Sequence, residues 1–115
     1  MTDAPTIFER IIAREIPADV VYEDDRIIAF RDIKPQAPVH LLVVPKTAAY
    51  PDVAALAAAD PELLAAVVAV AKRLAGELSD GDYRLVFNSG ANAGQTVFHV
   101  HAHVLAGGLA EGTLG

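Results

Sequence analysis

A chain of 115 residues and 12.1 kDa has room for one domain around one hydrophobic core. Its 9 Lys and Arg against 15 Asp and Glu give a formal net charge of −6, which argues against a polynucleotide partner held by phosphate neutralisation. The absence of Cys excludes disulfide frameworks, thiol nucleophiles and cysteine-based zinc sites.

Thr6 and Glu9 stand at capping-box spacing, and Ile7, Phe8, Ile11 and Ile12 follow at helical intervals, so a short helix is expected over 6–14, before Pro17. The apolar runs 20–22 and 27–30 flank Glu23, Asp24, Asp25 and Arg26, which reads as a hairpin. Pro35 and Pro38 impose an irregular connection over 32–38. A third strand is expected over 39–44, stopped by Pro45. Asp60 followed by Pro61 is an N-cap with proline at the first helical position, opening a long helix to about Leu78.

Leu64, Val67, Val68, Ala71, Leu74 and Leu78 recur along that helix at helical spacing, and most positions between them are Ala or Val. Such a helix is apolar almost all round, which in so small a domain predicts a subunit interface. Its longest apolar run, residues 63–71, is too short for a membrane span, which needs about 20 residues. With no basic-then-apolar leader either, the expectation is a cytoplasmic protein with no membrane partner. Gly81 and Asp82 turn the chain into a fourth strand over 83–88; a flexible loop over 89–94 precedes a fifth over 98–106. The whole reads as a single α+β domain, 1–115, with tails at 1–5 and 108–115. Its expected architecture is a five-stranded antiparallel sheet with one short N-terminal and one long helix.

The chemistry concentrates in the last strand. Alternation places Phe98, Val100, Ala102 and Val104 on one face and His99, His101 and His103 on the other. A single histidine is commonly a satisfied core or surface residue, but three of the chain's four on one side of one strand need another explanation. Zinc is one. Neighbouring histidines lie about 6.8 Å apart along a strand, but His99 and His103, about 13.5 Å apart, could hardly both bind one ion. A third ligand would come from elsewhere, with His40 the candidate. Nucleophilic catalysis is the other: a neutral imidazole can attack phosphorus while a neighbour hydrogen-bonds the phosphate or leaving group. The glycine-containing loop beside the strand could offer backbone N–H groups to phosphate oxygens.

The stretch His99-Val100-His101-Ala102-His103-Val104-Leu105 matches the His-x-His-x-His motif of the histidine-triad (HIT) superfamily, and the sequence resembles its nucleotide-binding Hint branch. The likeness extends through Thr6 to Ile12, Tyr22 to Arg26, Phe30 to His40, Val44 to Lys46 and Asn88 to Thr96, so it covers nearly the whole chain.

The resemblance implies a HIT-like fold, with the sheet continued across a homodimer. It implies a hydrolase, free of metal and other cofactors, for purine nucleoside phosphoramidates and acyl-nucleotide adducts, which also binds the purine nucleoside monophosphate. His101 would form a nucleotidyl-histidine intermediate, and His103 would hydrogen-bond the phosphate and leaving group. His40 would complete the site, and the backbone of His99 would orient His101. Asp32 matches a ribose-binding carboxylate; Ile33, Phe8, Ile11 and Phe30 match positions around the purine. Asn88, Gly94, Gln95 and Thr96 match residues around the α-phosphate, and Lys46 a lysine on the leaving-group side. Other readings are a dinucleoside polyphosphate hydrolase of the same superfamily, or a nucleotide-binding module with little catalysis. Three departures stand out: Thr96 where many relatives carry Ser, no basic residue or His just after Pro45-Lys46, and a C-terminal tail without the His-Trp-Pro stretch.

Overall fold

The computed structural model describes residues 4–109. Most of the two expected tails, residues 1–3 and 110–115, lies outside the described residues. The elements are α1 (Ile7–Ile12), β1 (Val20–Glu23), β2 (Ile27–Arg31), β3 (Val39–Pro45), α2 (Val53–Ala59), α3 (Pro61–Leu78), β4 (Tyr83–Val86) and β5 (Ala102–Ala106), with a short 3-10 turn at Ala91–Ala93. The five strands form one antiparallel sheet in the order β1-β2-β3-β5-β4. The expected α+β architecture is the one observed.

Alternation along the central strands builds a core on each face of the sheet. Ile27, Ala29, Leu41, Val43, Ala102 and Val104 pack beneath α2 and α3 with Leu56, Leu63, Val67, Val70, Ala71 and Leu74. Ile28, Phe30, Leu42 and Val44 point the other way and pack against Phe8 and Ile11 of α1. This second face also carries His40, because β3 places it in register with Leu42 and Val44.

Four expectations need correction. α1 ends at Ile12 rather than Arg14: Ala13 caps it, and Arg14 has φ of 64°, which turns the chain out of the helix. α2 is an element beyond those expected; its N-cap Asp52 accepts from the Ala55 amide at 2.9 Å, and an alanine-rich run does the rest. β4 stops at Val86 rather than Asn88. β5 begins at Ala102 rather than Phe98, since its partner β3 ends in Pro45, which has no amide to donate. Over 98–101 the backbone finds other partners: the Val100 amide donates to the Tyr50 carbonyl at 2.9 Å. Phe98, expected on the core face with Val100, is 51% exposed as a result.

Within the single chain α3 buries one side only, through Leu63, Val67, Val70, Ala71, Leu74 and Ala75. Its other side leaves Ala65, Val68 and Ala69 exposed.

Candidate active site

Register brings together histidines that sequence separates. β3 pairs with β5 so that His40 lies opposite Leu105 and Leu42 opposite His103. His40 and His103 are therefore diagonal neighbours on one face. His40 Nε2 and His103 Nδ1 are 3.0 Å apart, and the rings of His101 and His103 have centroids 5.2 Å apart. His40, His101 and His103 form one cluster.

His99 is the exception. It is fully buried and faces the protein, with Nε2 2.6 Å from the Pro45 carbonyl and Nδ1 3.4 Å from the Thr6 hydroxyl. A carbonyl only accepts, so Nε2 carries the proton and Nδ1 accepts from Thr6. The Thr6 hydroxyl in turn accepts from the Glu9 amide at 3.2 Å, which ties the α1 capping box to the histidine segment.

The same reasoning assigns the other rings. His101 Nδ1 is 2.9 Å from the His99 carbonyl, so it holds the proton and Nε2 keeps its lone pair. His40 Nδ1 accepts from the Gln36 amide at 3.0 Å, so the His40 proton is on Nε2 and is donated to His103 Nδ1. His103 then holds its own proton on Nε2. Phe8 sits edge-on to His101 with ring centroids 4.8 Å apart and restricts how that ring can turn.

Burial pushes all four imidazoles below their ordinary value, furthest for His103, to about 4, where His101 and His40 add repulsion. The Asp32 carboxylate pulls the other way at His40, His101 and His103. At neutral pH the cluster is a set of neutral rings, one with a nitrogen lone pair at Nε2 and one with an N–H at the nitrogen turned from His40.

Asp32 lies at the rim, with Oδ1 accepting from the Lys34 amide at 2.8 Å and Oδ2 3.5 Å from His40 Nε2. Asp32, His40 and His103 each bring a ligand-type atom within 4.8 Å of one another. A metal fits them poorly. The Gln36 amide keeps the His40 proton on Nε2, the atom that would have to ligate, and ligation would need that hydrogen bond broken.

Ile33 is 90% exposed beside Asp32, whereas Phe8, Ile11 and Phe30 are buried in the core that floors this side of the sheet. A cavity of about 220 Å³ lined by Gln36, His40, Val86, Asn88, His103 and Leu105 opens next to His103. Thr96 is exposed. The loop differs from expectation: the Gly94 and Gln95 amides donate to the carbonyls of Ala91 and Gly90 rather than toward a ligand. The Gln95 side chain is spent in the same way, accepting from the Gly90 amide and donating to the carbonyls of Pro51 and Val97. Gln95 is thus a brace of the loop. Lys46 pairs with Glu23 at 2.8 Å and lines a different cavity, with Asp25, Arg26 and Tyr50.

The chain is similar to known proteins over nearly its whole length. A family model described as HIT domain matches residues 13–108. The chain is 46% identical over 112 residues to a "14 kDa zinc-binding protein" of Zea mays, covering 93% of this chain and 85% of that one. It is 43% identical over 104 residues to the purine nucleoside phosphoramidase of Escherichia coli, covering 89% and 87%. A crystal structure of a HIT family hydrolase from Legionella pneumophila superposes with a TM-score of 0.84 at 47% identity, over 91% of this chain and 95% of that one. The chain belongs to the HIT domain family.

Proposed function

We propose that the protein hydrolyses purine nucleoside 5′-phosphoramidates and acyl-adenylates through a nucleotidyl intermediate on His101. One observation carries this reading: the His101 Nδ1–H is held by the His99 carbonyl at 2.9 Å, so the opposite nitrogen keeps its lone pair, with the His103 ring centroid 5.2 Å from that of His101. The likeness to the Escherichia coli phosphoramidase supports the substrate class.

His101 Nε2 attacks the α-phosphorus and the bond from phosphorus to the leaving nitrogen or acyl oxygen breaks. Water then attacks the same phosphorus, and the bond to His101 breaks. A departing nitrogen takes up one proton and the attacking water later gives one up, so the cycle is balanced as a hydrolysis. His103 Nε2–H would hydrogen-bond the phosphate or the departing atom as charge develops on it. Asp32 would take the ribose hydroxyls and Ile33 would cover the base, an exposed apolar side chain given a ligand to lie on. Asn88 and Thr96 would flank the α-phosphate, with Gly94 and Gln95 shaping the loop beneath them. The working unit is a homodimer with the sheet continued across the two-fold. That part rests on the outer edge of β4 and on the apolar strip that α3 leaves exposed.

The test is incubation with adenosine phosphoramidate and quenching for mass spectrometry. An adenylyl adduct on His101 and product release are expected, both lost in His101→Ala and both insensitive to a chelator. Turnover persisting in His101→Ala would sink the proposal. Faster cleavage of diadenosine polyphosphates would favour the dinucleoside polyphosphate hydrolase instead, and tight AMP binding with neither adduct nor turnover would leave a binding module.

A further inference from the structure

The connection over 32–38 does more than join β2 to β3. Its Gln36 amide donates to His40 Nδ1 at 3.0 Å, and its Asp32 carboxylate lies 3.5 Å from His40 Nε2. A donor facing Nδ1 and a carboxylate facing Nε2 favour the same tautomer, with the proton on Nε2. That proton enters the 3.0 Å contact with His103 Nδ1, a contact that two neutral rings can make only with one N–H and one lone pair. His103 must then hold its proton on Nε2, the ring nitrogen turned from His40, and the residue lines the cavity bounded by Val86, Asn88 and Leu105.

We propose that the main-chain N–H of Gln36 is a positioning group that fixes the tautomers of His40 and His103, so that His103 presents a donor, and never a lone pair, to the bound ligand. The bound ligand must then offer His103 an acceptor: a phosphate oxygen, or the departing nitrogen or oxygen.

The loop is built to hold that amide still. Pro35 precedes Gln36 and fixes its own φ. The Lys34 amide is held by Asp32 at 2.8 Å and the Asp32 amide by the His40 carbonyl at 3.0 Å. The Gln36 side chain reaches back to the Lys34 carbonyl at 3.2 Å. Pro38 is clamped from the far side by Gly107, just past the end of β5. There φ is +93°, and a Cβ would stand 2.8 Å from Pro38 Cβ, so only glycine allows the approach. The strand that carries His103 and the loop that sets its tautomer are thereby packed against each other.

The test removes the N–H alone, by replacing Gln36 with its α-hydroxy acid in a chain short enough for ligation of synthetic segments. The ester puts a weak acceptor where the donor was, opposite the His40 Nδ1 lone pair. Nitrogen-15 spectra of the imidazoles read the tautomers directly. In the unmodified protein both His40 and His103 are expected as Nε2–H. In the ester His40 is expected to populate Nδ1–H, and kcat to fall about tenfold or more, with KM little changed. Gln36→Ala keeps the amide and loses only the side-chain bond to the Lys34 carbonyl, so both rings are expected to stay Nε2–H in its spectra.

An Nδ1–H tautomer at either ring in the unmodified protein would overturn the proposal. So would an ester variant with unchanged tautomers and unchanged kcat. The kinetic half rests on the phosphoramidate hydrolase reading; the spectra do not. If the unmodified protein leaves phosphoramidates intact, that reading fails while the tautomers still decide this one.

Discussion

At the scale of single residues, His101 combines a committed lone pair with a depressed proton affinity. Burial lowers its pKa, against partial support for the cation from the His99 carbonyl. Protonation of Nε2 removes the nucleophile, so activity is lost as pH falls through the His101 pKa, and a depressed pKa moves that loss to lower pH. The acid limb of kcat/KM for adenosine phosphoramidate is therefore expected below the ordinary value of 6.5. A pH profile of initial rates checks this, and a limb at or above 6.5 would contradict the neutral cluster. His101 and His103 were legible in the sequence because alternation gave their face. His40 was reachable through the family resemblance, and the register then placed it beside His103. The main-chain partners were not legible. The Gln36 amide and the carbonyls of Pro45 and His99 have no letter of their own, and their positions follow only from how the strands end.

At the scale of elements, α1 is a helix of 6 residues, too short to persist without its cap and its packing. Thr6 serves it twice, as the N-cap for the Glu9 amide and as the hydroxyl facing His99 Nδ1. Thr6→Ala is expected to cost about 1 kcal/mol of stability, read from urea unfolding, whereas Thr6→Ser should restore it. Activity should fall far less than in the His101 variant, because His99 remains held by the Pro45 carbonyl at 2.6 Å. An unchanged unfolding midpoint in Thr6→Ala would mean that the cap contributes nothing. The capping box itself was visible as Thr6 and Glu9 three residues apart, but its link to a histidine 93 residues later was not. The same limit explains β5. Alternation over 98–105 suggested a full strand, yet pairing stops where Pro45 runs out of donors, and residues 98–101 become a connector whose Val100 amide and His99 ring bond the carbonyls of Tyr50 and Pro45.

At the scale of the whole molecule, the question left by composition is where an alanine-rich, largely apolar α3 finds cover. One chain covers only one side of it. The outward strip of Ala65, Val68 and Ala69 has small side chains that let a second helix approach closely, and Val68 is 37% exposed. α3 also packs over β3, β5 and β4, so the strip and the outer edge of β4 belong to neighbouring elements. Among the described residues β4 is an edge strand, and an edge beside an apolar helix face is a surface that natural proteins cover. A second copy joined about a two-fold would pair β4 with β4 and place α3 against its mate, making each patch complementary to itself. The expected outcome is a dimer by sedimentation at micromolar concentration. Val68→Glu would place a carboxylate from each copy in that contact without a partner. It is expected to weaken association by about 3 kcal/mol, roughly a hundredfold, while the fold read by circular dichroism is retained. A wild-type chain that sediments as a monomer, or a Val68→Glu variant that dimerises as before, would remove α3 from the interface. The apolar excess would then need another partner to cover it.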